Sequence, residues 1–167
     1  AGLDVEGIFL ERTQQEIQGI VRLNVEGTLT VTHRVLERMD PMQPFWMITV
    51  SSLAAFYPMP VKATYAASKR FLLDFFLALR DEVSKQGASV TVLCPAGLPT
   101  TPGAVSAIEA QGFFGLLTTQ NIGWVAKRSL DHAVRGTAIF VPGLINQILR
   151  WLGGLVPRRF LSGMIGR

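Results

Sequence analysis

The chain has 167 residues, 49% of them apolar and only 17% charged, enough for one domain with a proper core and too apolar for a disordered segment. Its net charge of +4 arises wholly from Arg150, Arg158, Arg159 and Arg167, because Ala1 to Val141 balance, so the broad basic face of a nucleic-acid binder is missing. Cys94 alone cannot form an internal disulfide and suits a reducing, cytoplasmic setting, and His33 and His132 without a Cys/His cluster offer no metal site.

Thr13 to Glu16 reads as a capping box that opens a helix. Apolar residues follow at Ile17, Val21, Val25, Leu29, Val35 or Leu36, and Met39, a stripe long enough for one helix or for two meeting at a bend near Asn24 to Gly27. Pro41 ends it. Phe45 to Val50 is a short apolar run of β-branched and aromatic residues, a buried strand by composition. Leu53 to Val61 holds Pro58 and Pro60 and reads as loop, and a second helix is predicted over about Ala63 to Lys85, stopped by Gly87.

Ser89 to Cys94 is a second buried strand, and Pro95 ends it. Gly97 to Thr118 is broken by Pro, Gly and Thr, with a short helix around Val105 to Gln111. Asn121 to Ala133 reads as a helix, Thr137 to Val141 as a third strand, and Leu144 to Val156 as a final helix. Apolar strands alternating with helices imply an α/β fold with a parallel sheet. No apolar run is long enough to span a membrane, since Asn146, Gln147 and Arg150 interrupt the best one.

The chemistry concentrates in SSLAAFYPMPVKATYAASK, residues 51–69. Tyr65 and Lys69 stand four apart, on one helical face. A free phenol titrates near 10, and a neighbouring ammonium draws it down toward a working range. Ser52, directly after a strand, could hydrogen-bond a substrate oxygen against that phenol.

These residues resemble the short-chain dehydrogenase/reductase family, whose pattern is a Ser at the end of a central strand followed by Tyr-x-x-x-Lys. Asn24-Val25-Glu26-Gly27 is similar to the family's helical Asn motif, and Pro95-Ala96-Gly97-Leu98-Pro99-Thr100 to its Pro-Gly turn ending in Thr, with Ala96 where Gly is usual. Ala1-Gly2 looks like the end of its Asn-Asn-Ala-Gly motif. The resemblance spans Ala1 to Val141 but only the second half of the family's domain. It implies a partial Rossmann-type, doubly wound parallel sheet of about three strands, residues 1–143 forming a C-terminal catalytic half and 144–167 a basic amphipathic extension.

By that resemblance Tyr65 is the acid/base, Lys69 lowers its pKa and binds the nicotinamide ribose, Ser52 positions the substrate oxygen and Asn24 supports a proton relay. Pro95, Gly97 and Thr100 would sit near the nicotinamide of NAD or NADP. Without it, Asn24 reads as bonding a neighbouring backbone group. Cys94 reads as core and neither histidine has a role.

A dinucleotide also needs a glycine-rich turn for its pyrophosphate, yet no two glycines here stand two residues apart. The expectation is therefore a truncated chain, inactive alone, with an unpaired apolar edge on the first strand. The expected activity is alcohol/ketone interconversion on a small, apolar substrate by a homo-oligomer. The alternative is a non-catalytic association module built on the two long helices. Apolar stretches and arginines alternating over Leu144 to Arg167 suggest peripheral membrane contact by the tail.

Overall fold

The computed structural model describes residues 2–155, so Arg158, Arg159 and Arg167 lie outside the described residues. Three parallel strands, β1 (Phe45–Val50), β2 (Ala88–Leu93) and β3 (Ile139–Phe140), lie in that order. β1 and β2 pair along their full length, from Phe45 with Ala88 to Val50 with Leu93. β3 meets β2 only at Val92 and Leu93. It is shorter than the run Thr137 to Val141, although the flanking backbone stays bonded: the N–H of Val92 reaches the Ala138 carbonyl and that of Cys94 the Phe140 carbonyl.

Alternation along β2 sends its side chains to two cores. Val90 and Val92 pack with Leu72, Leu73 and Phe76 of α3 (Ala63–Ser84). Leu93 packs with Phe140 and with Val125 of α6 (Ile122–Val134) on the other face. Helices on both faces explain why the strands read as continuous apolar runs. Arg80 ties α3 to the sheet, its guanidinium donating to the carbonyls of Val90 and Gly136, each at 2.7 Å. β1 has no partner on its outer side among the described residues and exposes about half of Trp46 and Val50, the unpaired apolar edge expected from the sequence.

The first long helical stretch divides into α1 (Gln14–Val21), a π turn over Arg22–Glu26, and α2 (Gly27–Leu36). Thr13 and Glu16 form the capping box reciprocally. The N–H of Gly27 bonds the Arg22 carbonyl, five residues back, so the irregularity falls in the region where a bend was expected. The expected apolar stripe turns inward only in part: Leu36 and Met39 pack against the core, and Ile17, Val25 and Leu29 are half-buried. Ile20, Asn24 and Thr32 face inward, while Val21, Val31 and Val35 are exposed. Asn24, within the π turn, packs on α3 through Ser68.

Two helices replace the single short one expected after β2: α4 (Pro102–Ala110), capped by the Thr101 hydroxyl, and α5 (Gly112–Thr118). Gly112, at φ +57°, makes the break. The last helix, α7 (Leu144–Leu155), packs back on the turn after β1: the Tyr57 hydroxyl donates to the Leu149 carbonyl, and Gly153 leaves room for the Tyr57 ring.

Candidate active site

All three strands point their carboxyl ends the same way, the usual place for a site in an open parallel sheet. Ser51 and Ser52 follow β1, and Cys94 and Pro95 follow β2. The two ends are tied together: the Ser51 N–H bonds the Leu93 carbonyl and the Leu53 N–H the Pro95 carbonyl, each at 2.8 Å. The serine pair divides its labour. Ser51 is buried and donates to the Lys69 carbonyl at 2.7 Å, fixing α3 against the strand end. Ser52 caps a short 3-10 turn, Leu53–Phe56, by accepting from the Ala54 N–H, and its hydroxyl favours the ionised form of Tyr65.

Tyr65 and Lys69 share the inner face of α3. The Lys69 ammonium stands 5.7 Å from the Tyr65 ring centroid and donates to the Val50 carbonyl at 3.1 Å. Lys69 is 5% exposed; that burial pulls its pKa below the ordinary lysine value, while Asp4 pulls it back up. The sequence argument that a lysine lowers the phenol is corrected here. Burial pushes the Tyr65 pKa above its ordinary value, and the Ser52 hydrogen bond only partly offsets that. The cation that counteracts is Lys62, 5.9 Å from the ring, while Asp4 raises the value further. Sequence reasoning missed Lys62, although it precedes Tyr65 by three residues, where side chains meet across a helical turn. Lys62 pairs with Asp4 at 2.9 Å and with Glu6, pinning the N-terminal segment over the start of α3.

Asn24, 1% exposed, clasps three neighbouring groups. Its Oδ1 accepts from the Leu3 N–H at 2.8 Å. Its Nδ2 donates to the Leu3 carbonyl at 2.9 Å and to Ser68 Oγ at 3.1 Å. Ser68 in turn donates to the Tyr65 carbonyl. Asn24 therefore joins the N-terminal segment to the first turns of α3. Gly2 sits between Asn24 and Lys69, so close that a Cβ there would stand 3.3 Å from Lys69 Nζ.

The turn after β2 is less tightly gathered. Gly97 is required for packing, because a Cβ would stand 2.7 Å from Thr119 Oγ1 and 3.0 Å from Ile108 Cγ1. Its carbonyl accepts from the Gln120 N–H. Thr100 is exposed and its N–H bonds the Leu98 carbonyl; no described hydrogen bond joins it to Ser52, Tyr65 or Lys69.

Val61, on the loop leading into α3, has φ 59°, a left-handed conformation that a β-branched residue tolerates poorly. Its carbonyl accepts from the Gly7 N–H at 2.8 Å. Val61→Gly is expected to raise stability by about 1 kcal/mol by releasing that strain, read as a higher midpoint in urea unfolding. Cys94 is fully buried in the core, as the sequence suggested, and burial pushes its thiol up to about 12. A raised folded value means this contribution to stability is complete below the ordinary thiol value and is lost as pH rises toward about 12. Wild type should therefore lose about 1.4 kcal/mol per pH unit across that window relative to Cys94→Ala, measured as paired unfolding curves at stepped pH.

His132 stacks on Phe140 and bonds Thr137, and His33 lies at the surface near Glu37. Neither reaches the site. Among the described residues no group of three or more His, Cys, Asp or Glu side chains could hold a metal.

A family model described as short chain dehydrogenase matches residues 1–111. The chain belongs to the short chain dehydrogenase family. Within it, the chain is 39% identical over 82 residues to a very-long-chain 3-oxoacyl-CoA reductase of Laccaria bicolor, covering 49% of this chain and 24% of that one. It is 28% identical over 153 residues to 17-beta-hydroxysteroid dehydrogenase type 3 of Homo sapiens, covering 91% and 47%. The chain thus spans less than half the length of these two relatives. A solved 7beta-hydroxysteroid dehydrogenase structure superposes with a TM-score of 0.83 at 18% identity, over 100% of this chain and 65% of that one. An angucycline C-6 ketoreductase with bound NADP gives 0.68 at 19% identity, over 84% and 58%. Both share the fold.

Proposed function

We propose that these residues are the acid/base half of an oxidoreductase that interconverts an alcohol and a ketone, and that its nucleotide-binding half is supplied from outside them. The reading is carried by Ser52 at the carboxyl end of β1 and Tyr65 and Lys69 on the facing side of α3, with a half-buried phenol whose pKa is raised above its ordinary value. A neighbour in the fold holds NADP and a 4-hydroxyisoleucine dehydrogenase holds NADH, which supports a nicotinamide cofactor without choosing between the two.

The residues present fit the nicotinamide end of such a group. Lys69 has three donors and spends one on Val50 among the described hydrogen bonds, and the missing side chain of Gly2 leaves space beside it. Nothing here fits the pyrophosphate, because the chain has no Gly-x-Gly turn. When bound, NAD(P) supplies or accepts the hydride. Tyr65 then gives a proton to the substrate oxygen or takes one from it, Ser52 holds that oxygen against the phenol, and the Lys62 charge favours the phenolate left behind. Asn24 serves as a positioning residue through Leu3 and Ser68. The names of the relatives support a large apolar carbonyl or alcohol as substrate.

Titrating the 167-residue chain with NADH and NADPH tests the reading. Weak binding that Lys69→Ala abolishes is expected. No binding at millimolar cofactor would favour a second reading, an association module. That reading has its own support in the apolar side chains exposed on the helices, Val31 and Val35 of α2 and Phe71 of α3 among them. Sedimentation velocity measures it directly: Val31→Asp with Val35→Asp should dissociate an oligomer formed through this face.

A further inference from the structure

The last helix is built inside out. Leu144, Ile148, Trp151 and Leu155 of α7 stand at helical spacing on one face, and that face is exposed, Trp151 by 70% and Leu155 by 73%. The inward face packs Leu149 against the core and is further held by a polar clasp and a glycine. Asn146, fully buried, donates to the carbonyls of Thr118 and Pro142, both at 2.8 Å, and Gly153 meets the Tyr57 ring. The Thr118 bond brings α5 alongside, and α5 exposes Phe113 and Leu116 and carries no charge.

We infer that this α5–α7 face docks on the surface of a membrane containing anionic lipid. Charge selects that occupant. From Ala110 to Leu130 and from Gly136 to the end the sequence has no acid, while Arg150 lies on α7 itself. Residues 156–167 add Arg158, Arg159 and Arg167 among Phe160, Leu161, Met164 and Ile165. Arg150 reaches over the Phe56 ring, so the selecting charge is that of the sequence around the face: an apolar helical face in an arginine-bearing stretch without a carboxylate matches an anionic lipid headgroup layer above acyl chains. No helix among the described residues is long and apolar enough to cross a membrane, so the helix lies on the surface rather than spanning it. Because α7 packs on Tyr57, within the segment between Ser52 and Tyr65, docking would set the entrance to the site near the lipid. The inference itself does not depend on the activity.

Co-sedimentation of the full chain with vesicles of phosphatidylcholine alone, and of phosphatidylcholine with equal parts phosphatidylglycerol, tests it without an enzymatic readout. The expected result is partition onto the anionic vesicles that weakens with added salt. Ile148→Ser with Trp151→Ser should reduce that partition about tenfold or more, and Arg158→Gln with Arg159→Gln about fivefold per charge removed. Both substituted side chains of the first variant are exposed, and circular dichroism checks its fold; Phe113→Ser is a second variant on the other helix. Unchanged partition of these variants, or no partition of the wild type, would overturn the inference. So would a doubled mass in light scattering that Ile148→Ser with Trp151→Ser restores to one chain, which would assign the face to a second copy.

Discussion

Tyr65→Phe will lower kcat for carbonyl reduction by about 10²–10⁴-fold in the competent enzyme while leaving the fold intact. Phenylalanine keeps the ring and its position between Lys62 and Lys69, 5.9 and 5.7 Å from the centroid. It removes only the hydroxyl that Ser52 faces. Burial raises the pKa of that phenol above the ordinary tyrosine value, so at neutral pH the group is a proton donor, suited to reducing a ketone. The sign follows from the direction of the shift. The donor form persists below the ordinary value and is lost as pH rises through the folded one, so reduction should fall along that alkaline limb while oxidation gains. The wild-type pH–rate profile should show the limb and the variant should lack it. A variant with the wild-type rate and the same limb would remove Tyr65 from proton transfer.

Asn24→Leu will cost about 2–4 kcal/mol of stability, more than a surface substitution can. Leucine occupies similar space but leaves the Leu3 N–H, the Leu3 carbonyl and the Ser68 hydroxyl without the partner that now satisfies them. The effect should reach the site, because Ser68 bonds the Tyr65 carbonyl. Asn24→Asp is a harder test: it keeps the acceptor for the Leu3 N–H and turns an oxygen toward the Leu3 carbonyl, and it too should destabilise. Urea unfolding gives the loss, and faster hydrogen exchange at the Leu3 amide locates it. A wild-type midpoint combined with impaired turnover would instead make Asn24 part of a proton relay.

Much of this architecture was legible in the chain, for identifiable reasons. Ala88 to Leu93 is covered on both faces of the sheet, and Phe45 to Val50 pairs with it along its full length, so both stand out as continuous apolar runs. The capping box at Thr13 and Glu16 is local chemistry and is present as read. The start of α4 was also readable, since Thr101 and Pro102 carry a cap and a first-turn proline, but the many glycines around them masked the signal. The inward face of α1 and α2 was readable only in part. No residue type marks a π turn, and the face that packs there is chosen by how closely Asn24 approaches Ser68 of α3, a property of the neighbour. For the same reason the sequence named Tyr65, Lys69 and Ser52 but not the Asp4–Lys62 pair, which forms across 58 residues of chain. It also placed the basic tail by composition without revealing that the apolar side of α7 faces outward.

The central claim is that these residues form the nicotinamide end of a hydride-transfer site and not the adenosine end. Chemical-shift titration of the labelled chain with nicotinamide mononucleotide, and separately with adenosine monophosphate, tests it most directly. The account predicts shifts at Gly2, Tyr65, Lys69 and Gly97 with the nicotinamide nucleotide, lost in Lys69→Ala, and no response at those residues to the adenosine nucleotide. Equal responses to both nucleotides, or nicotinamide-induced shifts that leave Tyr65 and Lys69 unmoved, would contradict it.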